Sequence, residues 1–240
     1  MEIALFGANG QTGRLVTAAA LRAGHRVRAV TRYPSQFPLT GSGLTVVAAD
    51  AHDASAVRSA VAGVDAVVST LGVTFTREPV DTYSVGTANI VAAMDAASTR
   101  RLIVVSSTAA FPMRRSRIPL SLRLVEPILT KTIGKTVYAD IRRMESVVRG
   151  SGLDWTIVRP SGLFDLPAPT DYLRGEIDPV GAFTARIDLA DYLVTLAADP
   201  MSAGRTVIVS TTESTPSLWQ MIRREAGSRD DAGPASATAS

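Results

Sequence analysis

The sequence has no cysteine. That absence excludes a disulfide scaffold, a thiolate nucleophile, a zinc ribbon and an iron–sulfur cluster. Histidine is nearly absent as well: only His25 and His52 occur, and no closely spaced carboxylates join them in a zinc-binding pattern. Lysine is limited to Lys131 and Lys135 against 23 arginines, so any lysine-dependent chemistry has two candidates. Long hydrophobic runs are missing too. No stretch approaches the roughly 18 apolar residues of a membrane span, and no positively charged leader precedes a hydrophobic segment at Met1-Glu2-Ile3. A cytoplasmic, soluble protein with no membrane partner is expected. The pI near 9.6 corresponds to a formal charge of only +3, because arginine's high pKa inflates it. Nucleic acid is therefore not an expected partner.

What is present is a globular balance of 46% apolar and 20% charged residues over 240 positions. Short apolar runs alternate with helical patterns, which argues for a parallel sheet covered on both faces. The strand candidates are 3–6, 27–30, 44–48, 66–68, 102–105, 155–158 and 206–209, and the helix candidates are 12–23, 54–61, 81–98, 126–150 and 189–198. The stripes Ile90-Val91 with Met94, and Met144 with Val147-Val148, read as core. The expected fold is α/β, a doubly wound Rossmann sheet of about seven strands, built as one domain over residues 1–225. Pro160, Pro167, Pro169 and Pro179 mark 160–185 as a loop region over the sheet edge, suited to substrate. Residues 226–240 hold no large apolar side chain and are expected to be a disordered tail.

Gly7-Ala8-Asn9-Gly10-Gln11-Thr12-Gly13 follows the first strand and opens the first helix. Phosphate binding needs this context, a strand that delivers a tight turn and a helix N-terminus whose free N–H groups face the anion. Gly7 would make the turn, Gly10 would admit the pyrophosphate, and Gly13 would let helix and strand approach. The second strand ends Val30-Thr31-Arg32 with no acid. A carboxylate there would suit a ribose 2′-OH, whereas Arg32 suits a 2′-phosphate, so NADP (NADPH) is expected over NAD. Arg14, just inside the helix, is a second phosphate candidate.

Gly-Ala-Asn-Gly-Gln-Thr-Gly-Arg at 7–14, Val-Thr-Arg at 30–32, Ala-Asp at 49–50, Val-Ser-Thr-Leu-Gly at 68–72, Asn-Ile-Val-Ala-Ala-Met at 89–94 and Ser-Gly-Leu-Asp-Trp-Thr-Ile-Val-Arg-Pro at 151–160 together resemble the atypical short-chain dehydrogenase/reductases. Within them the likeness is to the NAD(P)H-binding group of biliverdin reductase B (flavin reductase) and the NmrA-like proteins, over roughly residues 2–210. The resemblance implies that Gly7, Asn9, Gly10, Gln11, Thr12 and Gly13 cradle the pyrophosphate and that Arg32 meets the 2′-phosphate. It places Asp50 and Ala51 beside adenine, and Leu71 and Gly72 beneath the adenosine ribose. Ser106, Ser107 and Thr108 would lie beside the nicotinamide, and Pro160, Ser161, Gly162 and Leu163 would border its carboxamide. Asp50 and the serines also have a plain structural use, as caps of the next turn.

One position departs from the wider superfamily, whose carbonyl reductases use a serine with Tyr-x-x-x-Lys. This chain has Tyr138 followed by Arg142, and both lysines precede Tyr138. Ser107, Tyr138 and Arg142 are the catalytic candidates, but a guanidinium does not place donors on a ribose as an ammonium does. A flat aromatic acceptor such as a flavin, bilin-like pigment or quinone avoids the difficulty, because hydride can enter its ring and the proton can come from solvent. The leading expectation is an NADPH-dependent reductase of such a small-molecule acceptor. The alternative is a non-catalytic NADP(H)-sensing regulator of the NmrA type. For that reading the segment 111–150, with nine basic and three acidic side chains, offers a surface for an acidic protein partner. A carbonyl or sugar-nucleotide enzyme of the extended superfamily is a third reading, weakened by the short portion after Pro160.

Overall fold

The computed structural model describes residues 1–76, 78–111 and 134–216. Strands β1 (Glu2–Phe6), β2 (Arg26–Thr31), β3 (Leu44–Ala48), β4 (Ala66–Ser69), β5 (Arg101–Val105), β6 (Asp154–Pro160) and β10 (Arg205–Ser210) form a parallel sheet ordered β3-β2-β1-β4-β5-β6-β10. The order reverses between β1 and β4, the switch point at which doubly wound sheets hold ligands. Helices α1 (Gln11–Arg22) and α5 (Arg186–Ala197) cover one face, and α2 (Ala54–Val61), α3 (Thr82–Ala97) and α4 (Lys135–Gly150) cover the other.

The central strands β1, β4 and β5 are buried on both sides, which explains why they read as short continuous apolar runs, whereas the edge strand β3 is only partly covered. Ala4, Phe6, Val67, Val104 and Ile157 meet Val57, Ile90, Met94, Ile141 and Met144 on one face. Ile3, Leu5, Val68, Ile103 and Val158 meet Val16, Ala20, Leu189 and Leu193 on the other. The methionine and β-branched stripes are core, as their spacing indicates.

One segment and the strand count differ from the sequence reading, and two of its expectations fall outside the described residues. The described part of the fourth helix starts at Lys135, and its expected portion at 126–133 lies outside the described residues, as does the expected tail at 226–240. The segment 160–185 is not loop throughout. Its proline-free part supplies β8 (Leu173–Gly175), which pairs antiparallel with β10 as an eighth strand, and β7 (Gly162–Phe164) pairs in parallel with β9 (Phe183–Ala185). Three-residue strands are too short to show a period of two, so they leave no periodic signal.

Candidate functional site

The C-terminal ends of β1 to β6 converge on one edge, and the glycine turn sits at its centre. Gly7 has φ +74, and a Cβ there would stand 2.6 Å from the Thr70 carbonyl oxygen. Thr70 is held at that distance because its backbone N–H and Oγ1 both donate to the Phe6 carbonyl, at 2.9 and 3.0 Å. A Cβ on Gly13 would come within 2.2 Å of the Gly7 carbonyl oxygen. Both glycines are thus required by backbone meeting backbone, which no rotamer change relieves. Gly10 is the N-cap of α1 and brings no side chain to it. Asn9 accepts both Nε and Nη2 of Arg14 on its Oδ1, at 3.1 and 2.9 Å, which folds that guanidinium back over the turn.

The neighbouring helices show what α1 leaves undone. The first turn of any helix presents N–H groups with no intrahelical partner. In α2, Asp53 takes the N–H groups of Ser55 and Ala56. In α3, Asp140 reaches across from α4 and takes those of Tyr83 and Ser84, the first at 2.8 Å, while also accepting the Ser84 hydroxyl. Helix α1 has neither a side-chain cap nor an acid in its first turn. Its N–H groups at Gln11, Thr12 and Gly13 therefore point at the ligand edge with the full positive pole of the helix. A pyrophosphate fits this cradle in both shape and charge.

Arg32 follows β2 and is exposed, with its guanidinium 5.6 Å from the Tyr33 ring centroid. It makes no hydrogen bond or ion pair with any described residue. Asp50 does what the plainer reading of the sequence allows: its Oδ1 accepts the His52 backbone N–H at 3.0 Å, which holds its carboxyl below the usual range. His52 then bridges two carboxylates, Nδ1 to Asp50 at 3.2 Å and Nε2 to Asp81 at 3.0 Å, and these raise its pKa above the ordinary 6.5. Ala51 is buried, and a Cβ on Gly86 would lie 3.0 Å from both the Ala51 Cβ and Leu71 Cδ1, so Gly86 of α3 packs these two expected contact residues together. Gly72 is exposed beside them.

Beyond β5 the serines are already engaged. Ser106 Oγ donates to Glu145 Oε1 at 2.6 Å, and Ser107 Oγ accepts the Ala109 N–H at 3.2 Å as the cap of a short turn. Thr108 Oγ1 and Ser161 Oγ lie 3.3 Å apart, and Pro160 and Ser161 are buried, with the Ser161 N–H donating to Thr184. Arg142 Nη1 donates to the Ala110 carbonyl at 2.9 Å, so it braces the turn after β5. The Tyr138 ring packs against Phe75 at 5.9 Å between centroids.

Glu145 was not among the residues picked from the sequence. It is 2% exposed and takes both Nε and Nη2 of Arg159, at 2.8 and 2.6 Å, together with Arg149 at 3.1 Å. The Arg159 guanidinium in turn lies 3.6 Å over the Phe111 ring. The available signals were an acid beside Met144 on a buried helical stripe and an arginine inside an apolar strand. Of the basic side chains in 111–150, Arg143 and Arg149 are paired with Asp140 and Glu145; those at 114–131 lie outside the described residues. Among the described residues no helix is long and apolar enough to cross a membrane.

A glycine turn at the switch point, an uncapped helix above it and strand ends lined with small residues define a dinucleotide-binding α/β protein. Residues 7–200 match the NAD(P)H-binding family, and the chain belongs to it. An uncharacterized protein of Mycobacterium tuberculosis is 38% identical over 108 residues, 45% of this chain and only 12% of that relative's length. The uncharacterized sugar epimerase YhfK of Bacillus subtilis is 28% identical over 200 residues, covering 81% of this chain and 86% of that protein. Among solved structures, the anaerobillin reductase ChuY of Escherichia coli O157:H7 superposes with a TM-score of 0.71 at 24% identity, over 90% of this chain and 100% of that one. That last likeness is one of fold.

Proposed function

We propose that the protein is an NADPH-dependent reductase that passes hydride to a flat aromatic acceptor of the flavin, bilin-like or quinone kind. The observation that carries this reading is the commitment of the polar groups after β5. Ser106 is held by Glu145, Ser107 caps its own turn and Arg142 braces Ala110. A carbonyl reductase of this kind needs a cation beside its tyrosine to tune the placed proton donor, and Arg142 is turned instead to the Ala110 carbonyl. When bound, the dinucleotide supplies the hydride, two electrons with one proton. A conjugated ring accepts it and takes its second proton from solvent, so the protein has only to position the two partners and exclude side reactions.

The chain's own residues supply the positioning. Gly7, Gly10 and Gly13 with the α1 N-terminus and Asn9 would hold the pyrophosphate. Ala51, Leu71 and Gly72 would line the adenosine side, and Ser106, Pro160 and Ser161 the nicotinamide side. The exposed Arg32, at the end of a strand without an acid, favours the 2′-phosphate of NADPH over NADH. The ChuY neighbour is a reductase by its own description, which agrees with this reading.

The test is NADPH oxidation followed against a panel of flavins, bilins, quinones and simple carbonyls, with Arg142→Met beside the wild type. Turnover of ring acceptors that persists within a few-fold in Arg142→Met is expected; a serine–tyrosine acid step would lose about 10²- to 10⁴-fold. Tight NADPH binding without acceptor-dependent oxidation would sink the reductase reading and favour a regulator that senses NADP(H).

A further inference from the structure

Phe75 is an apolar ring left open to solvent on the ligand edge, and its surroundings show that it is held there. It is 58% exposed, in the connection between β4 and α3. Its ring leans on Tyr138 at 5.9 Å with the planes tilted by 56°. Gly134 lies beneath both: a Cβ there would sit 2.5 Å from Tyr138 Cε2 and 3.3 Å from Phe75 Cε1. The connection is tied on either side of the ring. The Val73 N–H donates to the Tyr83 hydroxyl at 3.3 Å, and Thr136 Oγ1 donates to the Thr76 carbonyl at 3.0 Å. A ring that is fixed in place and still exposed loses little entropy when a second ring covers it.

We infer that Phe75, backed by Tyr138, is the stacking wall of the acceptor subsite and selects planar conjugated acceptors. The inference rests on the reductase reading and deepens it by assigning the surface that the acceptor's ring covers. Placement supports it. Phe75 stands six residues beyond the end of β4, past Leu71 and Gly72, and Tyr138 opens the helix that packs over the ends of β5 and β6. Phe75 thus follows the C-terminal end of a strand, as Ser106 and Ser161 do, and Tyr138 lies one helical turn before Arg142, which reaches the turn after β5. An electron-poor conjugated ring has the complementary face for them, which an aliphatic carbonyl compound or a sugar lacks.

The experiment compares wild type, Phe75→Ala, Phe75→Leu and Phe75→Tyr in two assays. One is steady-state NADPH oxidation with a flavin. The other is quenching of flavin fluorescence on protein saturated with NADP⁺, where no hydride can pass and binding is read without turnover. Phe75→Ala and Phe75→Leu should raise KM and the flavin Kd about tenfold, the order expected for loss of one stacking partner. Phe75→Tyr should restore both, and NADPH affinity and Tm should stay as in wild type, which separates stacking from a folding defect. A wild type that turns over flavin while Phe75→Ala and Phe75→Leu leave KM and quenching within twofold overturns this inference and spares the reductase reading. A wild type that neither turns over nor binds any flavin, bilin or quinone of the panel overturns both.

Discussion

Removing the Glu145 carboxylate tests the buried cluster that it forms with Ser106, Arg149 and Arg159. In Glu145→Ala the Arg159 guanidinium, whose side chain is 12% exposed, loses both oxygens of a forked pair. An uncompensated buried charge of this kind costs about 3–5 kcal/mol. Ser106 loses its acceptor in the same step, an overlapping penalty of about 1–3 kcal/mol if the hydroxyl finds no water. Arg149 adds little, since its side chain is 43% exposed and can turn to solvent. A loss of about 3–5 kcal/mol lowers Tm by about 6–20 °C in a chain of this size. Urea and thermal unfolding of Glu145→Ala, Arg159→Leu and the double variant Glu145→Leu/Arg159→Leu form the assay. The double variant should recover most of the loss, because an apolar pair of matched volume replaces the ions without leaving a charge behind. A single variant within about 1 kcal/mol of wild type, or losses that simply add in the double variant, would refute the view that the pair acts as one buried unit.

Gly13→Ala should lower NADPH affinity by at least about tenfold, or 1.4 kcal/mol, because its Cβ would meet the Gly7 carbonyl oxygen at 2.2 Å and drive α1 off the turn; calorimetric titration checks it, and an unchanged Kd counts against the cradle. Arg32→Ala should weaken NADPH by about 10- to 100-fold, the worth of charge-assisted bonds to a phosphate, and leave NADH unchanged; equal effects on both would remove Arg32 from the 2′-phosphate. His52, raised above 6.5 chiefly by the hydrogen bond to Asp81 and then by that to Asp50, contributes stability that is complete below pH 6.5 and fades as pH rises through its folded value. His52→Gln should therefore fall below wild type near pH 6 and match it near pH 9. The gap should stay under about 1 kcal/mol because the pair is exposed and screened, and a gap that widens with pH would contradict the assignment.

The parts of the site that sequence made legible are those fixed locally. Gly7 and Gly13 are constrained by backbone within one turn, and the strand before them and the helix after them follow from adjacent residues. The position of Arg32 was legible because it follows a strand whose direction the pattern already showed. The fates of Ser106 and Arg142 were not, since each depends on a partner brought by folding: Glu145 lies 39 positions from Ser106, and Ala110 lies 32 from Arg142; Ser107 takes the capping use that its sequence position allowed. A serine at a strand end reads the same whether it faces a ligand or a buried carboxylate. The strand β8 escaped for another reason, because an antiparallel edge of three residues rests on hydrogen bonds to β10 and carries no apolar signature.

The uncapped start of α1 would make a bound dinucleotide a structural member of the protein as well as its ligand. The first turns of α2 and α3 meet carboxylates of the chain, Asp53 and Asp140, whereas that of α1 has none. Whatever binds there only in the native state adds RT ln(1 + [L]/Kd) to its stability, about 2.7 kcal/mol at a hundredfold excess over Kd. Resistance to proteolysis should then follow nucleotide supply, so that the amount of folded protein in a cell rises and falls with its cofactor pool.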